Sequence, residues 1–371
     1  MEEARKNPFT PTFGSIPPQL AGRDDIIRDI LDGLKNGPGD PNRASLFTGA
    51  RGSGKTVLLA KIAEEAESDG WISVNVNADT GLLDELLVQA RDKARELLAP
   101  ESTSYITSVS LGGVAVSRAM KENPEKSTWR SDMTGLLKEL NAKKVGLLIT
   151  LDELNVSIDE VRTLVVTFQH FVRERREVAL IMAGLPQKVS SVLRDDSLSF
   201  LRRAFMHHLG PVEENEVRYS LKKTVGLAGR KIENDALSLA TESTKGFPFM
   251  IQLIGYHMWR QQPEAEYVTH EDAVEAVHLA EADLEKMIFD TTFRELSEKD
   301  IAFLLAMLKD GEYSFLSDIA ERMQVTSKYA GMYRKRLIEQ GIIGSHGHGK
   351  VAFELPMFRD YLENRTSAAA K

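Results

Sequence analysis

The 371-residue chain contains no cysteine. That excludes a disulfide framework, thiolate metal sites and a cysteine nucleophile, and it fits a reducing, cytoplasmic setting. No window approaches 18 consecutive apolar residues, so no membrane span is expected. Residues 1–19 hold no apolar run behind a basic stretch, and no signal peptide is expected there. No fixed-period repeat occurs. Positive charge is short as well: 47 Lys and Arg face 55 Asp and Glu, a net charge of −8. Such a chain does not coat nucleic acid non-specifically, so any DNA contact needs a local basic patch. What is present is ordinary for a globular protein, 42% hydrophobic and 27% charged. The length allows two or three domains with a sizeable core.

The pattern divides the chain. Residues 1–19 carry four prolines and predict an extended arm, since each proline removes a donor and disfavours helix before it. A helix is expected over residues 23–34 and a loop over 36–42. Strands are then expected over 44–48, 71–76, 145–151 and 178–183, alternating with helices over 55–68, 82–98 and 159–175. Strands alternating with helices imply a parallel sheet covered on both faces. Residues 105–117 interrupt this with an apolar–polar alternation around Gly112-Gly113, which predicts an inserted β-hairpin. The expected core runs over 20–211. An all-helical stretch follows over 212–295. Residues 296–365 predict three helices and a hairpin, the pattern of a winged helix. Residues 366–371 are expected to be a disordered tail.

The chemistry-bearing motif lies between the first strand and its helix. Gly49, Ala50, Arg51, Gly52, Ser53, Gly54, Lys55 and Thr56 complete a phosphate-loop pattern, with Val57 behind it. The glycines let backbone N–H groups turn toward phosphate oxygens, and the helix N-terminus adds partial positive charge. Lys55 is expected at the β- and γ-phosphates and Thr56 on Mg²⁺. The apolar strand ending in Asp152-Glu153 delivers two carboxylates where ligands sit in open α/β sheets. Asp152 suits the metal, and Glu153 can orient and deprotonate a water. The chain has no Asn-Lys-x-Asp element to read guanine, which points to ATP.

These residues resemble the AAA+ ATPases and their STAND relatives, nearest the branch related to replication initiators. The resemblance covers roughly residues 15–360. It implies an α/β P-loop NTPase with a parallel sheet core, a helical lid and a C-terminal winged-helix domain. The cofactors it implies are ATP and Mg²⁺. Leu20, Ala21, Gly22 and Arg23 are similar to the segment that packs on adenine. Gly246-Phe247-Pro248 is similar to the STAND element whose proline lies against the nucleotide. Of Arg202 and Arg203, Arg203 is the favoured transition-state arginine, acting from a neighbouring subunit in a homo-oligomer. Two departures stand out. The fourth strand ends in Ala183-Gly184, where many AAA+ proteins place a polar γ-phosphate sensor. Pro248 stands where initiators often carry a sensing arginine. Slow turnover, a switch more than a fast ATPase, is the consequence.

Within the last module, Lys328, Arg334, Lys335 and Arg336 on the third helix and Lys350 on the wing could contact double-stranded DNA. Ten basic residues over 298–365 are offset by ten acidic ones, so only one face can be positive. Tyr329, Met332, Tyr333 and Leu337 fall at helical spacing and are expected in the core. Two functional expectations follow: a DNA-linked ATP switch, or a STAND-like signalling ATPase whose winged helix makes protein contacts.

Overall fold

The computed structural model describes residues 5–12, 14–98, 128–155, 157–347 and 349–369. The hairpin expected at 105–117 lies outside them. Five short apolar segments form the sheet: β1 (Ala44–Thr48), β2 (Ile72–Asn77), β3 (Leu147–Asp152), β4 (Val178–Gly184) and β5 (Phe205–His208). Their order is β2-β3-β4-β1-β5, with every pairing parallel. Strand β4 therefore separates the phosphate-loop strand from the Asp152 strand.

Alternation along the buried strands explains the layering. Leu147, Ile149 and Leu151 of β3, with Leu180 and Met182 of β4, share a core with α3 (Leu82–Leu98), α4 (Trp129–Ala142), α5 (Asp159–Arg173) and α6 (Pro186–Arg194). Leu148, Ala179 and Ile181 face the other way, against Ile30 and Leu34 of α1 (Asp24–Asn36) and Leu58 and Ile62 of α2 (Lys55–Ser68). Helix α4 is absent from the sequence expectation. It starts at a Thr128 cap, whose hydroxyl accepts from the Ser131 amide.

Beyond the sheet come α7 (Glu214–Leu227), α8 (Asn234–Ser243), α9 (Pro248–Gln261) and α10 (His270–Leu284). Two-residue strands β6 (Lys231–Ile232) and β7 (Tyr267–Val268) clip this group. Helix α10 opens on a Thr269–Asp272 capping box. It continues through a π turn, Glu285–Phe289, into α11 (Asp290–Arg294). Then follow α12 (Glu298–Met307), β8 (Ser314–Phe315), α13 (Leu316–Arg322), α14 (Ser327–Glu339), β9 (Ile343–Ser345), β10 (Lys350–Phe353) and α15 (Phe358–Ala369). The last three strands form an antiparallel sheet in the order β8-β10-β9.

Two expectations are corrected. Residues 366–369, assigned to a disordered tail, are helical. Phe358 and Leu362 anchor α15 in the core, and Ala368 and Ala369 extend it with the best helix-forming residue. The stripe on α14 is not all core: Tyr329 is 40% and Met332 65% exposed, while Leu337 is buried. Buried Ala330 and Ile338 share the packing face with Leu337 instead.

The arm is not free. Phe9 is buried against α9, where a Cβ on Gly255 would stand 2.3 Å from its ring. Asn7 Nδ2 donates to the Tyr256 carbonyl at 3.1 Å, and the Thr10 amide donates to Gln252 Oε1 at 3.2 Å.

Candidate phosphate-binding site

The loop between β1 and α2 is built on glycine, for reasons of space at some positions and of backbone conformation at others. Gly52 has φ +75°, and a Cβ there would lie 2.5 Å from the Phe247 ring. Gly54 caps α2 in the left-handed region at φ +88°. The first turn of α2 then points its amides at the loop. Gly49 is closed in by the Leu209 carbonyl and Ser53 Oγ. The Lys55 ammonium folds back onto the carbonyls of Gly49 and Ala50, at 2.9 and 2.7 Å. Burial pushes it down to about 8, against the opposing pull of Asp152.

Strand β3 brings the second motif to the same place. Thr56 Oγ1 donates to Asp152 Oδ2 at 2.5 Å, joining residues 96 apart in sequence. A hydroxyl beside a carboxylate is a donor set of hard oxygens, which suits Mg²⁺. Glu153 takes φ +53°, a left-handed conformation sparsely populated by residues with a side chain. Its amide bonds Asp152 Oδ1, and the next amide, Leu154, returns to the Ala183 carbonyl on β4. The turn leaves Glu153 exposed at the mouth of a cavity of about 670 Å³.

That cavity gathers most of the expected residues: Arg51 to Val57, Asp152, Glu153, Leu20, Ala21, Arg23 and Pro248. Gly49 and Ala50 act behind it by holding Lys55. Gly22 does not line it; at φ +63° it turns the chain against Val212, and its neighbours reach the cavity instead. Arg23 donates to the Gly210 carbonyl at 2.7 Å, and burial lowers its pKa. Pro248 opens α9, and its Cβ approaches within 3.9 Å of where a Gly54 side chain would begin. Arg202 is tied to the Leu193 carbonyl at 2.9 Å. Arg203 is exposed, lies outside the cavity and has no hydrogen bond or ion pair among the described residues.

The sequence reading missed several lining groups: the arm from Thr10, Lys188 on α6, Met287, Ile288, Thr291 and Thr292 on and after the π turn, and Glu339 of α14. No local signal marks Glu339. Its helix reaches the core because Gly341 lies against Leu185, 3.1 Å from the position of an added Cβ.

The basic residues of the last module divide. Arg336 is bound to the buried Asp300 and, at 2.8 Å, to Ser297 Oγ. It is therefore committed to the fold and is not a free DNA contact. Arg334 donates to Ser345 Oγ at 2.8 Å. Lys328 and Lys335 are exposed, and the Lys350 ammonium lies 5.3 Å from the centre of the Phe315 ring.

A family model described as a domain of unknown function (DUF8462) matches residues 286–362. No curated protein matches the sequence. Among solved structures, the ORC2 protein of Aeropyrum pernix, in ADPNP–ADP complexes, aligns with a TM-score of 0.60. The identity is 15%, over 97% of this chain and 98% of that one. The Walker-type ATPase PABY2304 of Pyrococcus abyssi aligns with a TM-score of 0.62 at 14% identity, covering 95% of this chain and 100% of that one. The ADP form of ORC2 gives 0.54 at 14% identity over 97% of each chain. The likeness is one of fold: an α/β P-loop fold with a five-stranded parallel sheet as its core.

Proposed function

We propose that this chain binds ATP with Mg²⁺, hydrolyses it slowly, and works as a nucleotide-dependent switch linked to DNA through a C-terminal winged helix. The observation that carries the nucleotide reading is the contact of Thr56 with Asp152. It brings the loop and the acidic strand end together as a metal–phosphate site requires. Thr56 and Asp152 would hold Mg²⁺, which would supply charge neutralisation at the phosphates. Lys55 would leave its loop carbonyls for the β- and γ-phosphates. Glu153 would orient the attacking water and take its proton. Gly184 carries no side chain at the end of β4, which supports slow turnover. Arg203, free and outside the cavity, is suited to act on a neighbouring subunit's nucleotide.

The DNA link rests on α12, α13, α14 and the β8-β10-β9 sheet, read as a winged helix. Lys328, Arg334, Lys335 and Lys350 are its remaining basic contacts. The STAND-like alternative, with a protein partner, draws on the exposed Tyr329 and Met332 of α14. One experiment separates the two. Glu153→Gln loaded with ATP and wild type loaded with ADP are titrated with duplex DNA across a salt series. Tighter, salt-dependent binding in the ATP state is the expected result. Absence of binding in both states at low salt would overturn the DNA link and leave the protein-contact reading. Lys55→Ala should abolish ATP binding in calorimetry; an unchanged affinity would remove the site assignment itself.

A further inference from the structure

We propose that Lys188 is a second phosphate-reading cation, which makes the site prefer a nucleoside triphosphate over a diphosphate. The inference rests on the nucleotide reading above and adds to it the residue that distinguishes the two ligands.

The cavity has two ends. At one, Leu20, Ala21 and Arg23 precede α1, Ser220 comes from α7 and Ile251 from α9. At the other, the chain is tied around the carboxylates. The Leu154 amide, one residue past Glu153, bonds the Ala183 carbonyl, and Gly184 pairs with Thr48 just before the phosphate loop. Helix α6 begins two residues after Gly184, so its first turn belongs to the carboxylate end. Gly184 supplies no side chain there, and an added Cβ would lie a tight 3.1 Å from the Leu154 Cβ. The nearest residue after it that lines the cavity with a charge is Lys188. Leu185 and Lys188, three apart on one face of the helix entrance, both line the cavity, while Val189 turns into the core.

Lys188 is half-buried, yet among the described residues it makes no hydrogen bond and no ion pair. An ammonium in the cavity lining without a paired anion is open to the charge-assisted bond that a ligand phosphate would provide. Lys55, in contrast, is already held by its loop carbonyls. The acidic groups lining the same cavity are Asp152, Glu153 and Glu339, and none lies within ion-pair distance of Lys188 among the described contacts. Asp152 is taken by Thr56. An incoming triphosphate, with its terminal phosphate at the carboxylate end, would therefore meet an uncommitted cation in addition to Lys55. A diphosphate, one group shorter, would not reach it.

The test is calorimetric titration of the full chain with Mg-ATP and Mg-ADP, using wild type, Lys188→Gln, Lys188→Arg and Lys55→Ala. Loss of one charge-assisted contact predicts a fall in ATP affinity of roughly tenfold to a hundredfold for Lys188→Gln. ADP affinity should stay within about twofold, which also reports that the variant is folded. Lys188→Arg should recover most of the preference. Equal losses for ATP and ADP, or no loss for either, would overturn the role of Lys188. If wild type binds ATP and Lys55→Ala does not, that failure touches Lys188 alone. If wild type binds neither nucleotide, the nucleotide reading falls and this inference with it.

Discussion

At the scale of single residues, the site is a balance between desolvation and waiting charge. Lys55 is held down to about 8 because burial penalises its charged form more than Asp152 rewards it. Bound phosphate reverses that balance and restores the proton. ATP affinity should therefore be level up to about pH 8. Above that it should weaken by up to about tenfold per pH unit, as proton uptake becomes part of binding. Calorimetry in buffers of different ionisation heats between pH 7 and 9.5 reads both the affinity and the proton. The sign for stability is opposite. The nucleotide-free fold carries the cost of a buried ammonium at neutral pH and is relieved of it as pH rises through 8. A pH-independent affinity would mean that the ammonium keeps its ordinary value. The sequence showed this lysine and its loop in full, because a phosphate loop is a local, contiguous pattern. Lys188 was not visible in the same way. Its importance depends on what Gly184 lacks and on which face of α6 meets the cavity, neither of which a spacing rule carries.

At the scale of elements, the arm and α9 form a unit. Four prolines predicted an extended arm, but nothing in a run of prolines says where it docks. The docking site is written in α9 by Gly255, which is costly in a helix interior. Here its missing side chain makes room for the Phe9 ring. Gly255→Ala should favour the isolated helix by about 1 kcal/mol and nevertheless lower stability. The new methyl displaces Phe9 and exposes a ring whose burial is worth about 2–3 kcal/mol. Proteolysis of the N-terminal residues should accelerate. ATP affinity should fall too, since Thr10, Pro11 and Thr12 line the cavity. A variant with a higher melting temperature and unchanged proteolysis would show that the arm does not rely on that gap. The tail shows the same limit in reverse. Residues 366–369 carry no apolar anchor of their own, yet they continue a helix fixed by Phe358 and Leu362.

At the scale of the molecule, the seam expected near residue 295 is not a seam in the packing. One contiguous core runs from Val212 through Trp259 and Leu284 to Phe303, Leu337 and Leu362. The π turn and α11 lie inside it: Phe289 packs on Phe358 and Tyr361, with ring centres 5.4 and 5.2 Å apart. The sheet has its own two cores. The cavity lies where these bodies meet, lined by α9, by the residues around the π turn and by Glu339 of α14. Any movement of the lid on the nucleotide would therefore carry α14 with it, without a separate linkage. This predicts shared stability. Arg336→Ala leaves the Asp300 carboxylate, 1% exposed, without its cation. The expected loss is about 2 kcal/mol, below the roughly 3–5 kcal/mol of a fully buried pair because water reaches the guanidinium. If α9 and α14 share one cooperative core, native-state hydrogen exchange should show that loss in both, and the strands of the sheet should change less. Loss confined to α12 and α14 would make the C-terminal module an independent unit. It could then respond to nucleotide through the Leu185–Gly341 contact and Glu339 without sharing the stability of α9.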